Sequence, residues 1–395
     1  MKKWCIFLFL ITTIFLYGEN NEIIKIVSSL PRTGSSNAQT TSIVYGIRIA
    51  LEEVNYRVNK FKIVYEDWDD ASAERGTWDG KIEAQNADRA IKDPDVMVYI
   101  GTYNSGAAKI SMPKLNKAGL LMISPANTYP GLTKPGKGEK GEPHIYRPSG
   151  RINYFRVVPA DDIQGVVAAH WAKQLGMKSV FILHDKELYG KGIADIFEKE
   201  CKKIGIRVIA KEGIDPKALE YKGLMIKIKN INPDMVYFGG TTQSNAGQLV
   251  KDMRSCGVNC PIMVPDGCRE NVFISSAGAE NLNGKCYVTF GGLPPEKLTG
   301  KGATFYKRYK EKYKSEPEAY AVYGYEAARV ALEAIRIANE KDRKKILEAC
   351  SKIRDFDGAL GKWSFDENGD TTLKIMSGEI VENGKFKFVR LLKVE

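Results

Sequence analysis

From Glu22 onward, short β-branched apolar runs alternate with stretches whose apolar residues recur every three or four positions. EIIKIVSSL at 22–30 predicts a strand, and SIVYGIRIALEEVN at 42–55 a helix. FKIVYEDW predicts a second strand, KIEAQNADRAIKD a helix stopped by Pro94, and VMVYIG a third strand. SGAAKISMPKLNKAG then predicts a helix and LLMISPA a fourth strand. Strands separated by single helices pair in parallel through right-handed crossovers.

Between Thr128 and Tyr154 this rhythm lapses into a Gly-, Pro- and Lys-rich loop that leads to a domain crossing. It resumes with SVFILHD, a helix from Gly192 to Lys203, IRVIAKEGI, MVYFGG, the helix GQLVKDMRSCG, and PIMVPDG. Two such series imply an α/β protein of two doubly wound, Rossmann-like lobes with a cleft at the strand ends. Residues 303–340 predict two helices around Glu316-Pro317, and 361–394 a β-meander turning at Asn368-Gly369 and Asn383-Gly384.

Composition narrows the class. The 395 residues are 43% hydrophobic and 27% charged, which excludes wholesale disorder and a polytopic membrane protein. The formal net charge is +11, but acidic residues interleave with every basic run and no stacking aromatics accompany them, so nucleic-acid binding is disfavoured. Three scattered histidines (His144, His170, His184) give no metal motif.

Lys2 and Lys3 followed by the apolar stretch Trp4 to Tyr17 fit a secretory leader over 1–18, since a membrane-spanning helix needs about 20 apolar residues. Cys5 lies inside that stretch and none stands at the cleavage point, which argues against a lipid anchor and for export to the periplasm or another extracytoplasmic space. Six cysteines then remain: Cys201, Cys256, Cys260, Cys268, Cys286 and Cys350. An even number in an exported chain predicts one or more disulfides, with the cluster from Cys256 to Cys286 the first place to look and the pairing open.

Two motifs fail on context. Gly136, Gly138 and Gly141 match G-x-G-x-x-G but no strand precedes them. Asp366, Asn368 and Asp370 begin like a calcium loop, yet Thr371 stands at the glycine position and Ser377 at the bidentate carboxylate position, so a turn is expected.

The informative residues lie at the carboxyl ends of predicted strands, where open α/β sheets bind ligands. Ser105 falls where a helix begins; it either caps that helix or offers its hydroxyl and the following amides to an anion. Thr128 adds a hydroxyl and Ala126 a carbonyl. Asp266 is a turn aspartate or a site acid, and Tyr189 lines a cleft or packs on its helix. Carboxylate donors on one lobe and a lone acid on the other suit a zwitterion. No catalytic constellation is present in the pattern, and no cofactor or metal is expected.

The chain resembles the type 1 periplasmic binding proteins, specifically the leucine/isoleucine/valine-binding family that feeds ABC importers. YIGTYNSGAAKISMPKLNKAGLLMISPANTYPGLT carries the resemblance, with HDKELYGKG, VYFGGTTQSNAG, PDG and GKWSFDENGD following in order. The resemblance implies two lobes joined by a three-strand hinge, 19–156 with 291–362 and 157–290 with 363–395. It also implies a bound amino acid, branched-chain or another small aliphatic or polar one, an ABC permease as partner and a monomer. Ser105, Ala126 and Thr128 would hold its α-carboxylate and α-ammonium, with Tyr189 and Asp266 closing from the second lobe. Tyr103, Asn104, Gln39 and Thr241 would complete the pocket. Asp266 is shorter than the family's frequent glutamate, and Gln39 and Thr241 stand where the branched-chain binder has tyrosines. A ligand-sensing receptor module and a binder of another small carboxylate are the alternatives.

Overall fold

The computed structural model describes residues 22–393. The leader read over 1–18 lies outside the described residues. Two sheets carry the fold. The first runs in the order Arg57–Val58, Phe61–Asp69, Glu22–Leu30, Val96–Gly101, Leu121–Ser124, Tyr154–Arg156. All its pairings are parallel except that of the short edge strand Arg57–Val58. The second runs Arg207–Gly213, Ser179–His184, Met235–Gly239, Ile262–Val264, Cys286–Gly291, Met376–Glu382, Lys385–Leu392, with the last two antiparallel. Val96–Gly101 and Ser179–His184 are buried along their whole length, as strands covered by helices on both faces must be.

Local chemistry sets the element ends. Asp79 caps the helix Gly80–Lys92 by accepting from the Lys81 amide at 2.8 Å, and that helix stops before Pro94. The helix Leu188–Ile204 ends at Gly205 in the left-handed conformation. Asn383 and Gly384 both have positive φ, as the turn between the last two strands requires.

The chain passes between the sheets three times: after Arg156, after Gly291 and before Met376. Between the second and third passes lie the helices Lys301–Tyr313, Ala321–Ala338 and Arg343–Ser351, which share one apolar core with the first sheet. Within it Ala321–Ala338 lies against the helix Asn37–Glu53. A Cβ on Gly46 would stand 2.1 Å from the Ala321 carbonyl oxygen, and one on Gly324 2.3 Å from that of Ile43. Glycine at both positions lets the two backbones touch.

Arg156, fully buried on the first pass, donates its Nε to Asp370 on the third at 2.7 Å and its Nη1 to the Tyr129 carbonyl at 2.9 Å. The segment predicted as a meander therefore splits. Gly361–Trp363 pairs with Phe356–Gly358, Asp366–Asp370 is a turn closed on the Asp366 carboxylate, and only the final hairpin joins the second sheet. Asp366 accepts from the Asn368 and Asp370 amides, which accounts for the calcium-like spacing as a turn.

The disulfide expectation is corrected: all six cysteines in the described residues are free thiols. Cys350 packs in the first-sheet core, and Cys201, Cys268 and Cys286 in cores flanking the second sheet. There each serves as a small apolar side chain.

Candidate functional site

Each sheet reverses its strand order once, between Glu22–Leu30 and Val96–Gly101 and between Ser179–His184 and Met235–Gly239. Loops leaving the carboxyl ends of strands at and near these reversals face one another. Tyr103, Asn104 and Ser105 follow Val96–Gly101; Ala126 and Thr128 follow Leu121–Ser124. From the other sheet, Tyr189 follows Ser179–His184, Thr241 follows Met235–Gly239, and Asp266 follows Ile262–Val264. All eight, with Gly267 and Tyr320, line a single cavity of about 20 Å³. Gln39 does not line it; its side chain spans from the Tyr320 amide, at 3.3 Å, toward the Arg269 carbonyl, at 3.5 Å.

The first-sheet wall is a helix start. Ser105 is the first residue of the helix Ser105–Lys117, and the Ala107 and Ala108 amides turn back to the Asn104 carbonyl. The Ser105 and Gly106 amides remain at the positive helix end. The loop carrying Ala126 and Thr128 is fixed from behind. The Ser124 hydroxyl accepts from the Asn127 amide at 2.9 Å, and Asn127 donates to the Tyr103 carbonyl at 3.0 Å. Arg156 bonds the carbonyls of Asn127 and Tyr129, on either side of Thr128.

The opposite wall is an acid. Asp266 is 2% exposed and accepts from the Tyr189 hydroxyl at 2.6 Å and Gln164 Nε2 at 2.8 Å on one oxygen. Its other oxygen accepts from the Tyr320 hydroxyl. Burial pushes the Asp266 carboxyl above its ordinary range, opposed by these three donors. Close behind it stands Asp161, fully buried, its amide on the Thr128 carbonyl at 2.9 Å. Neither oxygen of Asp161 accepts a well-formed hydrogen bond. Burial and then the charge of Asp266 raise its carboxyl well above the usual value, while the Thr128 hydroxyl and Arg156 favour its ionised form. Two buried carboxylates thus share one small region, which an incoming cation would relieve.

Sequence reasoning missed Tyr320, Gln164 and Asp161. Tyr320 sits in a tyrosine-rich helix start that reads as core, and Gln164 and Asp161 lie on a helix start, Asp161–Gln174, that the pattern did not separate from the crossing. The acidic pair Asp161-Asp162 in that first turn was the available signal.

Outward from the small cavity a cleft of about 660 Å³ opens, sharing Asn104, Ser105, Tyr189 and Thr241 with it. Contacts cross its mouth: Arg75 lies 3.8 Å from Glu187, and Gln243 donates to the Ser35 carbonyl at 3.4 Å.

Residues 23–385 match the family model described as "Periplasmic binding protein". The chain belongs to that family. The Leu/Ile/Val-binding protein homolog 1 of Brucella abortus is 29% identical over 370 residues, spanning 91% of this chain and 92% of its own. The leucine-, isoleucine-, valine-, threonine-, and alanine-binding protein of Pseudomonas aeruginosa is 27% identical over 359 residues, 90% of this chain and 88% of its own. Among solved structures, the leucine binding protein LivK of Thermotoga maritima superposes with a TM-score of 0.81 at 28% identity, covering 94% of this chain and 99% of that one. The substrate binding protein LivJ of Streptococcus pneumoniae, in complex with isoleucine, gives 0.81 at 24% identity, covering 94% and 100%. This periplasmic binding protein accordingly has the two-lobed type 1 fold with a three-pass hinge, and its family is one of solute binders for transporters rather than of enzymes. Among the described residues no helix is long and apolar enough to cross a membrane, and no cluster of His, Cys, Asp and Glu is arranged to hold a metal ion.

Proposed function

We propose that this protein captures an amino acid between its lobes and delivers it to the membrane permease of an ABC importer. The α-carboxylate would sit at the Ser105 helix end with the Thr128 hydroxyl, and the α-ammonium against Asp266 and the Ala126 carbonyl. The observation that carries this reading is the single cavity that joins an amide-rich helix start to a buried acid supplied by the other lobe. Head and tail of a zwitterion need those two opposite electrostatic partners. Relatives named as Leu/Ile/Val-binding and amino acid binding proteins support the same class of ligand.

A cavity of about 20 Å³ holds roughly one water, so the jaws must part or Tyr320 must swing aside before an amino-acid head enters. Closure then makes the Tyr189 and Asp266 contacts, which an open cleft lacks, and those differential contacts favour the closed state. We further propose that the chain works as an exported monomer without catalysis, its two lobes dividing at the three passes, after Arg156, after Gly291 and before Met376.

Thermal-shift measurement of the purified protein against the twenty amino acids tests the reading. A ligand at 100 times its Kd stabilises a protein by about 2.7 kcal/mol when it binds only the folded form. A protein whose melting is unmoved by every amino acid would overturn it.

A further inference from the structure

The same cleft bears on the ligand's side chain. The inner cavity is walled by Tyr103 and Tyr320, whose rings meet edge to face with centroids 6.1 Å apart. In this arrangement the two rings occupy the depth of the site. The outer cleft of about 660 Å³ shares Ser105, Tyr189 and Thr241 with the head-group cavity. A side chain growing from an α-carbon held at Ser105 and Asp266 is directed into that space.

The near wall of the outer cleft is a polar relay. The hydroxyls of Thr241 and Ser244 lie 3.1 Å apart, and Ser244 donates to Asp185 at 2.7 Å. Asp185 is 2% exposed and also accepts from the Glu187 amide at 3.0 Å. Across the whole lining, five carboxylates stand against three cations, Arg75, Lys186 and Lys217. Of these, Arg75 pairs with Glu187 and lies over the Trp78 ring at 5.1 Å, and at the rim the exposed Lys186 and Lys217 are balanced by the exposed Glu74 and Asp215, which leaves Asp79 and the buried Asp185 without a cation. The interior of the cleft is therefore left with an excess of negative charge. Neutral donors satisfy the oxygens of Asp185 but leave its charge without a counter-ion, and an aliphatic chain passing this wall supplies none.

Resting on the amino-acid reading above, we infer that the preferred ligand is an α-amino acid with a long side chain ending in a cation, held in the outer cleft along Thr241, Ser244 and Asp185. The negative excess selects a distal ammonium or guanidinium over a distal carboxylate.

Calorimetry on the full chain with lysine, arginine, glutamine, glutamate, norleucine, leucine, isoleucine and valine tests this. Lysine or arginine should bind at least tenfold more tightly than leucine, isoleucine, valine and the equally long but uncharged norleucine. Asp185→Asn, or Ser244→Ala should that variant not fold, should lower lysine and arginine affinity at least tenfold. Leucine, isoleucine, valine or norleucine binding as tightly as lysine and arginine would overturn the inference and leave the amino-acid reading standing. Glutamate or glutamine at the head of the ranking would overturn the charge assignment. Failure of every amino acid to bind would overturn both, and so separates the two claims.

Discussion

Replacing Asp266 by asparagine changes one charge and almost no volume. Oδ1 of the amide can still accept from Tyr189 and Gln164, and the amide nitrogen can donate to the Tyr320 oxygen. What disappears is the negative charge that the proposed site sets against a ligand's ammonium. Truncating one partner of a buried, hydrogen-bonded charge pair costs about 2–5 kcal/mol, and a substitution that keeps the packing should fall low in that range. A loss of about 3 kcal/mol corresponds to roughly 150-fold in Kd. The stability of the protein should move the other way. A carboxyl whose pKa is raised on folding opposes the folded state once the pH is above its unfolded value, so the asparagine variant gains stability near neutral pH. Its removal also relieves Asp161, which feels the charge of Asp266. In the parent protein, affinity should fall as the pH drops through the raised pKa of Asp266, with protons released on binding in that range. The variant should lack that component. Calorimetry in buffers of different ionisation enthalpy, beside thermal melts without ligand, reads all three effects. Unchanged affinity in a folded variant would remove Asp266 from the site. A fall in melting temperature alongside the fall in affinity would make it a structural residue.

Ser105→Ala should weaken binding of the free amino acid far more than of its amide in paired calorimetric titrations; equal losses would mean that Ser105 does not read the carboxylate. Glu83, fully buried with Ser29 and Tyr99 as hydroxyl donors, has its carboxyl pushed up to about 7 from 4.5 by burial. A raised acid takes stability away as the pH climbs from the unfolded to the folded pKa, here about 3 kcal/mol by the upper end. Glu83→Gln should flatten the decline in urea-derived stability between those pH values; an unaltered pH profile would show that Glu83 does not titrate there. Asp370→Ala strands the buried Arg156 guanidinium on the hinge and should cost about 3–5 kcal/mol in chemical denaturation. A loss below about 1 kcal/mol, the scale of a surface pair, would refute the buried-pair account.

The strands that a reader of the sequence can find are those whose residues are apolar on both faces, because parallel sheets covered by helices bury both. VMVYIG and SVFILH show this. Short edge and hinge strands such as Tyr154–Arg156 carry too few residues to set a period. The helix Asp161–Gln174 escaped because its small residues blur the apolar stripe. At the site, the local signals were helix starts and strand ends, so Ser105, Thr128, Tyr189 and Asp266 could be named. The partners of Asp266 could not, because Gln164 and Tyr320 meet it across 102 and 54 residues of chain. The cysteines show the opposite failure: an even count says nothing of distance, and the fold distributes them among separate cores.

Tyr320 changes what closure means here. It caps the helix Ala321–Ala338 in the first-sheet core, yet its hydroxyl reaches Asp266 at the end of a second-sheet strand. Parting the lobes breaks that bond, together with Arg75 to Glu187, Gln243 to Ser35 and Asn271 to Glu318 at 2.9 Å. The last three are exposed or half-exposed and contribute about 0–1 kcal/mol each. A buried hydroxyl bonded to a carboxylate contributes more, about 1.5–3 kcal/mol. The protein thus holds its own lobes together through Asp266, and an ammonium arriving there must share or displace the Tyr320 hydroxyl. Since a ligand shifts an equilibrium only by its differential affinity, the charge of the ammonium has to exceed what the phenol already supplied. Charge against a paired carboxylate in a water-poor cavity does so where a second neutral donor would not. On the proposed reading Tyr320 would act as a threshold at the acid, admitting a cation and turning away a ligand whose head offers Asp266 only another hydroxyl.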